Sequence, residues 1–192
     1  MDPLAVHDAL AENLLRGVLL VWVAFEVIVR LRNRTRANVS DWTLPVVILT
    51  IVAAIAIGYR AAHVHSTILG GGWAMYTVGL TVLIAGVGLR ISAILTLGRF
   101  FTPSVQIQSG QRVVESGPYR YIRHPSYTGM LLALIGLGIA LDDWLSLLVL
   151  ALLPLTGILV RIRHEESVLL EALGDDYADY ASRTSRLVPG VW

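Results

Sequence analysis

Apolar residues fall in five long blocks, at residues 14–31, 42–59, 73–97, 125–141 and 144–162, with short polar stretches between them. A helix needs about 20 apolar residues to cross the hydrocarbon core of a bilayer. The blocks therefore predict an all-α integral membrane protein with about five transmembrane helices. Pro45 and Pro125 sit in the first turns of the second and fourth blocks, where a missing N–H costs little. Pro154 lies inside the fifth and predicts a kink. That last helix is expected to continue as an amphipathic stretch to Glu171, with Gly174 as its stop.

Small residues recur on two blocks. Thr81, Ala85, Gly88 and Ser92 mark one stripe and Gly129, Ala133, Gly136 and Ala140 another, each suited to close helix packing. Two ionisable groups interrupt the apolar runs. Glu26 is expected to pair with Arg30 one turn on, and Arg90 to face a polar interior or to snorkel.

Composition agrees with the pattern. Of 192 residues, 55% are hydrophobic and 15% charged, against about 25% charged in a typical soluble domain. Net charge is +1 and every basic residue is Arg, so no nucleic-acid partner is expected. With no Cys, neither disulfides nor a Cys-ligated metal can form. His63 and His65 make an H-x-H with too few neighbouring ligands for a metal. Asp2, Asp8 and Glu12 precede the first block, which is not a signal-peptide pattern. Residues 30–36 carry four Arg, which reads as cytoplasmic. Five spans then put the N-terminus outside, the C-terminus inside, and Arg99, Arg112, Arg120, Arg123, Arg161 and Arg163 on the cytoplasmic side. Asp142 and Asp143 form an outer turn.

Two polar clusters stand out. Residues 117–129, G-P-Y-R-Y-I-R-H-P-S-Y-T-G, close a long loop that starts at residue 98. Arg161, Arg163, His164, Glu165 and Glu166 follow the helical hairpin. A helix of about seventeen residues rises roughly 25 Å, so an antiparallel hairpin returns Arg161 to the depth of Pro125. His124 and Tyr127 can then face Arg161 and Glu165, which share a helix face four residues apart. Taken singly, these are an ion pair, aromatic-belt tyrosines and a capping histidine. Taken together on one interface, they favour a binding pocket. Gly86-Val87-Gly88 and Gly136-Leu137-Gly138 lie inside apolar blocks and follow no strand, so they are not a dinucleotide fingerprint.

At R-H-P-S-Y-T-G, residues 123–129, with Glu165-Glu166 downstream, the chain resembles the isoprenylcysteine carboxyl methyltransferases. More distantly it is similar to the membrane phospholipid N-methyltransferases. The likeness covers residues 97–180, through L-G-R-F-F, the loop motif, the hairpin, R-I-R-H-E-E and G-D-D-Y-A-D-Y. It implies methyl transfer from S-adenosyl-L-methionine to a lipophilic small-molecule or lipidated acceptor at the cytoplasmic membrane face. By motif position it implies that Gln106, Val113, Val114, Tyr119, His124, Pro125, Ser126, Tyr127 and Glu165 bind the cofactor. Arg161 would meet the acceptor's carboxylate, and His124 or Tyr119 would serve as base if the acceptor were a thiol or amine. No metal is implied. Residues 1–97 would be three anchoring spans and 98–192 the catalytic loop, hairpin and C-terminal helix of one membrane domain. Methylation of a thiol, amine or lipid headgroup, and a non-catalytic membrane scaffold, remain as alternatives.

Overall fold

The computed structural model describes residues 9–33, 41–64 and 69–192. Arg34, Arg36 and His65, with Asp2 and Asp8, lie outside the described residues. The described chain forms six α-helices: α1 (Ala9–Asn33), α2 (Thr43–Val64), α3 (Trp73–Leu97), α4 (Pro125–Ala140), α5 (Trp144–Leu173) and α6 (Asp175–Arg183). No strand occurs among the described residues; one isolated bridge pairs Ile122 with Ser185. Three helices are long and apolar enough to cross a membrane, spanning Thr43–His63, Trp73–Phe100 and Trp144–Leu173. Apolar α4 is shorter, at 16 residues. Helix α1 carries Glu12, Arg16, Glu26 and Arg30 within its length.

Helix α4 packs along α3, α5 packs on both α4 and α2, and α1 touches α3. The α3–α4 seam is set by glycine. A Cβ on Gly86 would lie 2.4 Å from the Ala133 N, and one on Gly136 would lie 2.3 Å from the Leu83 N. Backbone meets backbone there, so any side chain would force the helices apart. On α4 the expected stripe is the packed one: Gly129, Ala133, Gly136 and Ala140 are all buried. On α3 it is not. Thr81, Ala85, Gly88 and Ser92 are exposed, and the buried line is Gly79, Leu83, Gly86, Arg90 and Ala93. Both lines have the same helical spacing.

That arginine also takes Glu26. The Glu26 carboxylate bonds Arg90 through Nε and, at 2.7 Å, Nη2, and accepts the Trp22 indole N–H at 3.1 Å. Arg90 completes its set on the Ser126 hydroxyl (2.8 Å) and carbonyl (3.2 Å). The expected Glu26–Arg30 pair gives way to this one, because a buried guanidinium gains more from a carboxylate than an exposed one does. Arg90 does face a polar interior.

The hairpin forms as expected, and α5 runs through Pro154 as one 30-residue helix. At the turn, Asp142 has φ 52°, a conformation that Asp tolerates better than most residues. Its carboxylate accepts the Gly72 N–H at 2.9 Å and the Gly71 N–H at 3.3 Å, and its carbonyl takes the Leu69 N–H at 2.9 Å. Asp143 caps α5 by accepting the Ser146 N–H at 2.7 Å. The α2–α3 connection thus rests on the α4–α5 turn. At the opposite end, Asp41 before α2, the loop after α3, the start of α4 and the far half of α5 come together.

Candidate active site

The α5 helix delivers Arg161 to that end, 4% exposed. Its guanidinium is enclosed by the chain's own acceptors. Nη1 donates to Asp41 Oδ2 (2.9 Å) and Thr43 Oγ1 (3.0 Å), Nε to the Tyr127 hydroxyl (2.6 Å), and Nη2 to the Pro103 carbonyl. Asp41, whose side chain is 2% exposed, also accepts the Val105 N–H at 2.8 Å and the Thr43 N–H at 3.0 Å. Burial alone would raise the Asp41 carboxyl pKa. The bonds from Thr43 and Val105 and the Arg161 charge outweigh it and hold the group below its ordinary value.

Tyr127 passes this network on. While accepting from Arg161, its hydroxyl donates to Glu165 Oε2 at 2.8 Å. Arg161 and Glu165 therefore meet through Tyr127. The Tyr127 ring stacks on His124, with centroids 5.7 Å apart. His124 precedes Pro125, the first residue of α4, and is 4% exposed. Its Nε2 lies 3.3 Å from Glu166 Oε1, and its Nδ1 lies 3.9 Å from Glu165. If Nε2 carries the proton toward Glu166, Nδ1 is left as an acceptor.

Glu166 is the hub of a second network. It accepts Arg123 Nε at 2.9 Å and Arg186 Nε at 2.8 Å besides His124. The C-terminal residues then strap the motif. Ser185 O takes the Arg123 N–H at 2.8 Å, Arg186 O the His124 N–H at 3.0 Å, and Leu187 O the Thr128 hydroxyl at 2.8 Å. Tyr119, at the 3-10 turn Gly117–Arg120, is fixed by its carbonyl, which accepts the Tyr180 hydroxyl at 2.8 Å. Burial, reinforced by the Glu165 charge, pushes the Tyr119 phenol well above its ordinary pKa.

Between the networks lies a cavity of about 390 Å³, inside the usual range for small-molecule sites. Its polar end is lined by Gln106, Val113, Val114, Tyr119, His124, Ser126, Tyr127, Arg161 and Glu165. From there it runs between α1 and α2 along Leu19, Val23, Val47, Ile48 and Ile51, with Glu26 and Arg90 in its wall. Of the residues given a cofactor or acceptor role from the sequence, only Pro125 is not in the lining; it is fully buried as the first residue of α4. The first half of the chain supplies walls to this cavity.

Residues 77–171 match the model of the isoprenylcysteine carboxyl methyltransferase (ICMT) family. Through this segment, just under half of its length, the chain is similar to that family. It is 36% identical over 121 residues to protein-S-isoprenylcysteine O-methyltransferase B of Arabidopsis thaliana, covering 62% of this chain and 61% of that protein. It is 38% identical over 116 residues to protein-S-isoprenylcysteine O-methyltransferase of Tribolium castaneum, covering 59% of this chain and 41% of that one. The solved structure of the eukaryotic intramembrane Ras methyltransferase ICMT superposes with a TM-score of 0.62 at 30% identity, covering 80% of this chain and 55% of that one. The match therefore spans less than two thirds of each of these relatives.

Asp41 and Arg186 were given no part in the site from the sequence, Arg123 and Glu166 stood in its two clusters without an assigned contact, and Tyr177, with Tyr180, was expected only on an interfacial face. Asp41-Trp42-Thr43 before an apolar block is a readable helix cap, but its bond to Arg161 crosses 120 positions. Glu166 was visible beside Glu165 but points about 100° away around the helix. The strap at 185–187 works through backbone carbonyls, which leave no side-chain signal.

Proposed function

We propose that this chain is an S-adenosyl-L-methionine-dependent methyltransferase acting on a lipophilic acceptor, with carboxyl O-methylation of an isoprenylcysteine-like molecule as the reaction. The observation that carries the reading is one continuous cavity joining a polar cradle to an apolar corridor. The cradle's donor set fits the cofactor. Glu165 offers a carboxylate for its ammonium through a charge-assisted bond. Val113 and Val114 offer an apolar wall and backbone groups for adenine. His124 and Gln106 offer polar contacts for ribose or carboxylate. When bound, the cofactor supplies a methyl group already activated on a sulfonium, so the protein needs no metal and no nucleophile of its own. The chain's task is to hold donor and acceptor in line and exclude water. The corridor between α1 and α2 suits a prenyl-like chain.

Five spans, an active site facing the cytoplasm and an outer N-terminus are part of the same proposal. Arg30, Arg32, Arg99, Arg112 and Arg120 all belong to segments at the site end, which supports it.

A second acceptor class is favoured by one observation. Arg161 already holds the Asp41 carboxylate, so it does not need an acceptor's carboxylate to balance its charge. A thiol or amine acceptor would then draw on His124 Nδ1 as base. Transfer of labelled methyl, with a farnesylcysteine analogue and a lipophilic thiol or amine offered in parallel, decides between them: base-labile label means ester, and base-stable label means S- or N-methyl. Calorimetry on detergent-solubilised protein should show S-adenosylhomocysteine binding that Glu165→Ala abolishes. Failure of the unmutated protein to bind would sink the methyltransferase reading.

A further inference from the structure

Two tyrosines on α6, Tyr177 and Tyr180, stand three residues apart with ring centroids 6.0 Å from each other. Both are buried, at 5% and 3% exposure, and both reach the cavity wall. Their hydroxyls differ. Tyr180 donates to the Tyr119 carbonyl at 2.8 Å and so pins the loop motif. Tyr177 Oη is buried and has no hydrogen-bond partner among the described residues. A buried hydroxyl without a partner is destabilising and is uncommon unless a ligand or water completes it. Phe would fill the same space without that cost.

The surroundings say what would complete it. The cavity wall at this end also includes Glu165, Leu169 and Leu173. The charges of Glu165 and Glu166 both act on the Tyr177 phenol and, after burial, raise its pKa. Arg123 acts on it in the opposite sense, but that guanidinium is already bonded to Glu166 and to backbone carbonyls. The phenol stays protonated and neutral, with the Glu165 carboxylate on the same cavity wall. A cationic donor group satisfies such a place; an anion does not.

We propose that Tyr177 is a cofactor-binding residue whose hydroxyl oxygen, together with the Glu165 carboxylate, receives the ammonium of the bound methyl donor. This rests on the methyltransferase reading above. An ammonium has three N–H donors, enough for a carboxylate oxygen, the Tyr177 oxygen and one further acceptor. Tyr180 is the internal control, being equally buried on the same helix but already satisfied by the chain.

The test is Tyr177→Phe beside Tyr180→Phe in full-length protein purified in detergent. Calorimetry reads the Kd for S-adenosylhomocysteine, and thermal unfolding reads the ligand-free Tm. Tyr177→Phe should weaken binding about tenfold while the ligand-free Tm holds or rises, because the orphan hydroxyl is gone. Tyr180→Phe should lower the Tm. A Kd for Tyr177→Phe within twofold of the unmutated protein would overturn the inference, as would a ligand-free Tm that falls as far as that of Tyr180→Phe. If the unmutated protein does not bind at all, the methyltransferase reading has failed first. If it binds and Tyr177→Phe binds equally, only the role of Tyr177 has failed.

Discussion

The two ends of the α4–α5 hairpin both bury carboxylates, and they satisfy them in opposite ways. At the turn, Asp142 and Asp143 are answered by backbone N–H groups of Gly71, Gly72 and Ser146. At the other end, Asp41, Glu165 and Glu166 are answered mostly by side chains, drawn from distant parts of the chain. The turn closes on itself, and the cavity near it, lined by Tyr76, Leu137 and Leu141, measures about 90 Å³. The other end surrounds about 390 Å³ and leaves a tyrosine hydroxyl unanswered. Backbone-satisfied acids staple the fold. Side-chain networks around an opening hold groups at defined positions for something else to meet.

Breaking Arg161 should have the largest effect. Arg161→Ala strips the Asp41 carboxylate of its cation and Tyr127 of a donor. Leaving one member of a buried ion pair alone costs about 3–5 kcal/mol. A large drop in Tm in detergent is expected, with loss of methyl transfer. Arg161→Lys should recover little, since one ammonium cannot serve four acceptors in a planar fork. An unchanged Tm would mean that the Asp41–Arg161 pair does not hold the site together.

Asp143→Ala tests the other end and should cost less. Losing a helix N-cap costs about 1 kcal/mol. The Tm should fall modestly, while the Kd for S-adenosylhomocysteine stays where it was. A weakened Kd would show that the two ends are coupled through the hairpin and would dissolve the contrast between them.

The same contrast governs how much of the molecule was legible in the sequence. Helix positions, the hairpin and the α4 stripe follow from apolar periodicity, which records burial directly. The α3 stripe was misplaced because Gly79, Leu83, Gly86 and Arg90 repeat at the same interval as Thr81, Ala85, Gly88 and Ser92. Periodicity alone does not say which line faces protein and which faces outward. The cavity-lining residues of the motif were readable because they crowd into thirteen positions. Asp41 was not, since its role depends on a partner in α5, and neither were the carbonyls of Ser185 and Arg186. Glu26 illustrates the general reason. A local partner, Arg30, was four residues away, yet the buried Arg90 on another helix took it.

The acid limb of stability reads the Asp41–Arg161 pair by titration. Asp41 is held below its ordinary carboxyl pKa of 3.8 in the folded protein. In the unfolded chain it takes up its proton at the ordinary value. The stability that Asp41 adds is therefore complete above about pH 4 and is lost as pH falls through the lower, folded-state value. Its Arg161 partner stays charged throughout, so protonation leaves a buried guanidinium without its counter-charge. Tm measured from pH 5 downward should show a decline to which Asp41 contributes. In Asp41→Asn the Tm starts lower at neutral pH, because Arg161 has lost its counter-charge, and declines less steeply on acidification. An unaltered slope would mean that the carboxylate is not ionised beside Arg161, and the pairing that organises this end of the hairpin would have to be redrawn.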